Sequence, residues 1–166
     1  MLIKIIICTV NDESKENFSH AQSQWKDLKF ARGFIAQVGG WNLVNPNEAV
    51  IVGFWKSMED YKKFMADLHD RIMDSNEQGK SYEKIEVGLW TTEEVLSGDE
   101  VARFGFLALI DVEDDGVDVE GFIGKDSVVM QIESDGVRKI LVLGSTIEGV
   151  LEGCRARVPF DKEWIV

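Results

Sequence analysis

Between Gly33 and Met73 the chain reads strand, turn, strand, helix, and few folds accommodate that order. Gly33-Phe34-Ile35-Ala36-Gln37-Val38 is an apolar run that ends in Gly39-Gly40-Trp41. Asn45-Pro46-Asn47 is turn chemistry, because proline presets φ and asparagine folds its side chain back onto the nearby backbone. Ala49-Val50-Ile51-Val52-Gly53-Phe54-Trp55 then returns, so the two runs are expected to pair as a hairpin. Ser57-Met58-Glu59-Asp60 has the spacing of a capping box, in which the serine caps a helix and the acid three residues on bonds back. Met58, Tyr61, Phe64, Met65, Leu68 and Ile72 follow at helical spacing, predicting one continuous helix.

The flanks complete a pattern. Leu2 to Val10 is nearly continuous in apolar, largely β-branched residues, with Lys4 as the one interruption before Cys8-Thr9. Such a run suits a central strand. Asn11, Asp12 or Ser14 can cap a helix carrying Phe18, Ala21, Trp25 and Leu28 on one stripe and ending near Phe30. From Tyr82 to Trp90 the residues alternate, with Ile85, Val87 and Leu89 on one face of a half-buried strand. The order through Trp90 is β-α-β-β-α-β, an α+β ferredoxin-like unit with both helices on one face of an antiparallel sheet. The other face needs cover. Trp41, Phe54, Trp55 and Trp90 lie on or beside strands, and an apolar sheet face of this kind marks an interface. A homodimer packing two such sheets together is the expected solution.

Beyond Leu96-Ser97-Gly98-Asp99 the chain becomes richer in glycine and reads as strands. Arg103 to Val112 is expected as one long strand, Val128 to Leu143 as a hairpin turning at Ser134-Asp135-Gly136, and Val150 to Val158 as a last strand ended by Pro159. Asp111, Glu113, Asp115 and Gly116 fall at calcium-loop positions, but Phe122 stands where the bidentate acid is needed, so an acidic turn is expected. The domain expectation is therefore 1–95 for the ferredoxin-like unit and 100–166 for a small β-rich domain or extension.

Composition narrows the function. The net charge of −12 repels phosphate backbones and anionic lipid, so neither nucleic acid nor membrane is an expected partner. Cys8 and Cys154 form no C-x-x-C pair, which fits a reducing compartment, and the apolar N-terminal run is too short for a signal-peptide core. A cytoplasmic protein is expected. Two histidines, His20 and His69, are too few for a histidine-rich metal site. Nucleotide, zinc-protease and serine-hydrolase motifs are missing. Cys8, among isoleucines, should be an inert thiol; Cys154, near Arg155 and Arg157, could be lowered by their charge.

The strand from Gly33-Phe34 to Gly39-Gly40-Trp41, together with Val52-Gly53-Phe54-Trp55-Lys56-Ser57-Met58-Glu59-Asp60-Tyr61, resembles the dimeric α/β-barrel superfamily of antibiotic-biosynthesis-monooxygenase-like and haem-degrading proteins. Within it the sequence is similar to a small Bacillus-type family labelled YdbC-like. The resemblance spans about residues 1–92. The haem-degrading members share an asparagine on the first strand, a tryptophan in the second helix and a histidine near its end. Here Ile6-Ile7-Cys8, Phe64 and an early-placed His69 stand at those places, so no cofactor is expected. The cofactor-free members imply a pocket between helices and sheet, with polar groups that deprotonate and orient an electron-rich aromatic. His69 is the candidate catalytic residue, and Trp25, Gln37, Asn42, Trp55 and Phe64 are the candidate ligand contacts. The alternative is a non-catalytic small-molecule-binding or regulatory homodimer.

Overall fold

The computed structural model describes residues 1–112, 126–145 and 154–166. Its elements are β1 (Leu2–Thr9), α1 (Lys15–Ser23), β2 (Phe34–Trp41), β3 (Glu48–Trp55), α2 (Met58–Asp67), α3 (His69–Asn76), β4 (Lys84–Thr91), α4 (Gly98–Val101), β5 (Phe106–Asp111), β6 (Ser127–Ser134), β7 (Val137–Gly144) and β8 (Ala156–Pro159). Short 3-10 turns occupy Asp12–Ser14, Trp25–Phe30 and Gln78–Lys80. The acidic stretch from Glu113, including Phe122, lies outside the described residues, as does the part of the last expected strand before Cys154.

Local chemistry explains most boundaries. Asn11 caps the first turn through its side chain, which accepts from Ser14 N at 2.9 Å. Ser57 caps α2: its hydroxyl accepts from Asp60 N (3.1 Å) and donates to Asp60 Oδ2 (2.8 Å). Asp135 and Gly136, with φ of 50° and 78°, make the tight left-handed turn that a two-residue hairpin between β6 and β7 requires. Three expectations change. The first helix, expected to end near Phe30, stops at Ser23, and Trp25–Phe30 follows as a 3-10 turn. The single helix from Met58 is two helices, because Leu68 leaves the helical region (φ −127°, ψ −32°). The strand expected from Arg103 starts at Phe106, because the capping box at Ser97 and Glu100 opens the short helix α4 just before it and Arg103 falls in the turn that leaves that helix.

The strands form one antiparallel sheet in the order β2-β3-β1-β4-β6-β7-β5-β8. The first four follow the ferredoxin-like order, and the last four repeat it: β6-β7-β5-β8 mirrors β2-β3-β1-β4 with each number raised by four. The two edges meet. Leu43 N donates to Arg157 O (2.8 Å), Asp161 N to Gly39 O (2.8 Å), and Gln37 and Val166 exchange a backbone pair at 2.9 and 3.0 Å. The sheet is thus closed into an eight-stranded barrel, which removes both exposed edges. Gly40 is needed for closure: a Cβ there would lie 2.2 Å from Pro159 O.

The inner face holds Ile3 and Ile5 of β1, Val38 of β2, Val52 and Phe54 of β3 and Trp90 of β4, packed with Leu107, Leu109, Met130, Ile132, Leu141, Leu143 and Val158 from the later strands. The aromatic face expected to be covered by a second copy is covered by residues of the same chain. At one end of the barrel Arg155 holds Glu48 through two hydrogen bonds of 2.6 and 2.9 Å, and Lys139 pairs with Asp111. The outer face of β1–β4 lies under α1, α2, α3 and the Trp25–Phe30 turn, in a cluster of Leu2, Trp25, Leu28, Trp55, Tyr61, Phe64 and Ile72. With cover on both faces, β1 and β3 have the near-continuous apolarity of central strands. No helix among the described residues is long and apolar enough to cross a membrane.

Candidate functional site

A cavity of about 280 Å³ lies between the outer face of β1–β4 and the helices. Its floor is set by strand register. Lys4 of β1 and Gln37 of β2 both stand opposite Gly53 of β3, so the three share one row with a gap at its centre. A Cβ built on Gly53 would touch the Trp55 indole nitrogen at 3.4 Å, an ordinary van der Waals contact, and nothing else within 4 Å. Ile6 and Cys8 of β1 and Ile51 of β3 extend the floor. The roof is Trp25, Leu28, Phe64, Met65, His69 and Met73. Ile85 and Val87 of β4 line the open side and remain 43% and 52% exposed. The apolar face of β4 is therefore the cavity mouth, while Trp90 turns into the barrel.

The break at Leu68 places His69. Its ring packs against Trp25 and Phe64, with centroids 5.8 Å from each. Its Nδ1 lies 2.9 Å from Asp70 Oδ1. A carboxylate only accepts, so in the neutral ring the tautomer that satisfies this contact has its proton on Nδ1 and Nε2 as the acceptor. Trp25 is fixed from behind: its Nε1 donates to Gln78 Oε1 (2.6 Å), and Gln78 Nε2 donates to Gln22 Oε1 (2.7 Å). All three are buried, so every link of this chain spares a polar group from desolvation.

Lys4 is the unusual group. Among the described residues lining the cavity it is the one lysine or arginine, and no aspartate or glutamate lines it. Its ammonium sits 5.4 Å from the centre of the Tyr61 ring. Loss of hydration pulls its pKa from 10.5 to about 8, with Cys8 the lesser, opposing influence. Burial pushes the Cys8 thiol up to about 12, which keeps it protonated and inert, and raises the Tyr61 hydroxyl as well. Gln37 is buried, and its Nε2 has no hydrogen-bond partner.

Of the residues singled out from sequence, His69, Trp25, Gln37, Trp55 and Phe64 line this cavity. Asn42 does not. It sits beside the β2–β3 turn, where Nδ2 donates to Glu48 Oε2 (3.0 Å) and Oδ1 accepts from Val44 N and Arg157 N (3.0 Å each). The docking of β8 beside it occupies the side chain. Cys154 is buried, and burial raises its thiol despite Arg157 nearby. Sequence reasoning passed over Lys4, Tyr61, Gln22 and Gln78. Lys4 did carry a signal: a single charge in the middle of an apolar strand destined for burial on both faces.

The architecture is an α+β one: a closed barrel of two ferredoxin-like strand sets with a cavity under the helices. The chain belongs, through residues 2–90, to the family described as Domain of unknown function (DUF4937). It is 41% identical over 92 residues to the Uncharacterized protein YdbC of Bacillus subtilis (strain 168), a match covering 54% of this chain and 77% of that one. Among solved structures, a monooxygenase-like protein of Lactobacillus acidophilus NCFM superposes with a TM-score of 0.63 at 12% identity, covering 99% of this chain and 95% of its own. An anthrone oxidase-like protein superposes at 0.59 with 14% identity, over 89% and 73% of the two chains. At such identities these structures share the fold with this chain. The first shares it over nearly the whole length.

Proposed function

We propose that this protein binds a small planar aromatic molecule in the cavity between β1–β4 and the helices, and oxygenates it without a cofactor. The carrying observation is the cavity itself: apolar and aromatic walls, one mouth, and polar groups confined to a few positions, as small-molecule sites are built. Trp25, Trp55 and Phe64 contact the ring, and His69 takes a proton through Nε2. The overall reaction balances without an external reductant: a ring CH2 and O2 give a ring C=O and water, the substrate supplying all four electrons. The acidic, motif-poor sequence and its two buried thiols suit a reducing cytoplasm.

Anthrone, a planar aromatic with an acidic CH2, is the probe for turnover. Purified protein should raise the rate of oxygen uptake with anthrone, and His69→Ala should lower that rate by on the order of 100-fold while the melting temperature stays near that of the parent. Unchanged turnover would remove His69 from the mechanism. Ligand-induced stabilisation across a panel of aromatics with no oxygen uptake would leave a binding module, since a ligand that binds only the folded state must stabilise it.

A further inference from the structure

We infer that Lys4 and Gln37, on either side of Gly53, form an anion-holding subsite on the cavity floor, and that the ligand is a flat apolar molecule carrying one anionic oxygen. This rests on the cavity being a ligand site, and adds the chemical class of the ligand.

Three independent observations converge on that row. The first is charge: Lys4 is the one lysine or arginine among the described residues lining the cavity, and none of those residues is a carboxylate. Burying a lone cation is costly, and the usual remedy in a structural role is a paired acid. None is supplied by the described residues that line the cavity, although the sequence holds 30 aspartates and glutamates. The second is Gln37, 7% exposed, whose Nε2 is buried without a partner while its residue lines the same cavity. A buried donor without an acceptor costs stability unless an acceptor arrives. The third is space: two strand spacings separate the Lys4 and Gln37 backbones, about 10 Å, and the position between them is a glycine, whose missing side chain leaves room bounded by the Trp55 indole nitrogen. An oxygen resting above Gly53 meets an ammonium on one side and an amide N–H on the other. The lowered affinity of Lys4 for its proton has the same origin, and an anion supplies the missing counter-charge. Carboxylate and ring-bound oxide share this chemistry.

The test is calorimetric titration at pH 7 with 2-naphthoate, 2-naphthamide and 2-naphthol. The parent protein should bind naphthoate at least about tenfold more tightly than the uncharged amide, the equivalent of roughly 1.4 kcal/mol. Lys4→Met should erase that preference and keep the amide affinity. Gln37→Leu should reduce the preference severalfold. If ring oxide is the preferred source, 2-naphthol binds with appearance of its naphtholate absorption band at pH 7, and Lys4→Met abolishes the band. Equal affinity for naphthoate and naphthamide, with no naphtholate band, overturns the subsite while leaving the cavity reading intact. A preference that survives Lys4→Met overturns the assignment to Lys4. Failure of all three probes to bind overturns the cavity reading, and the subsite with it.

Discussion

Lys4 illustrates a residue whose position works against the stability of the fold. Its ammonium is easier to protonate in the unfolded chain, where the pKa is 10.5, than in the folded one, at about 8. The unfolded state therefore binds more protons between those values, and stability attributable to this group rises with pH across that window. Below pH 8 the full desolvation cost is present. Lys4→Met should accordingly raise the melting temperature at pH 7, by on the order of 1–3 kcal/mol of stability, and the gain should shrink towards pH 10.5. Cys8 acts in the opposite sense above pH 9, because its folded thiol holds its proton to about 12, so the parent and variant must be compared at each pH. Thermal melts at pH 7 and pH 10 decide it; a variant less stable at pH 7 would mean that Lys4 is a net structural contact. At this scale the sequence was informative wherever a residue was odd for its neighbourhood. His69 stood out as one of two histidines, whereas Lys4, as odd in its strand, was passed over. Asn42 was misplaced because its partners, Glu48 and Arg157, include one that lies 115 residues away in sequence, and no local pattern announces such a bond.

Elements were more legible than side chains. β1, the start of α1, the β2–β3 hairpin, the Ser57 cap and the β6–β7 hairpin all follow from short-range rules about period, capping and turn dihedrals. The break between α2 and α3 does not. Leu68 carries neither proline nor glycine beside it, and the apolar stripe runs through it undisturbed, so the break belongs to packing over the cavity and not to propensity. The Trp25–Phe30 turn is held in the same way, from a distance, by Gln78 in the turn after α3. Gln78→Leu would strand the Trp25 indole N–H and the Gln22 carbonyl oxygen in a buried setting. The loss should be about 1–3 kcal/mol, a fall in melting temperature on the order of 5 °C, read by calorimetry. A melting temperature within a degree of the parent would show that water replaces the lost amide.

At the scale of the whole molecule, the repeated strand order carries the most information. It was hidden from sequence reading because the two halves share topology and not residues: β1 is a run of isoleucines around a lysine, while β5 is Phe106-Leu107-Ala108-Leu109-Ile110. An apolar sheet face pointed to a partner, and the partner is the rest of the chain. The protein should therefore appear as a monomer in native mass spectrometry; a stable dimer would mean that a surface other than the barrel interior holds two copies together. Closure within one chain also changes what mutation can do. In a barrel made of two identical subunits, each substitution appears twice, related by the symmetry axis, and must suit both places at once. Here Trp90 meets the Lys139 ammonium 5.3 Å from its ring, and Arg155 meets Glu48, as one-off contacts with no symmetry mate. Each half can drift separately, so one can specialise for the ligand while the other keeps only the duty of completing the wall.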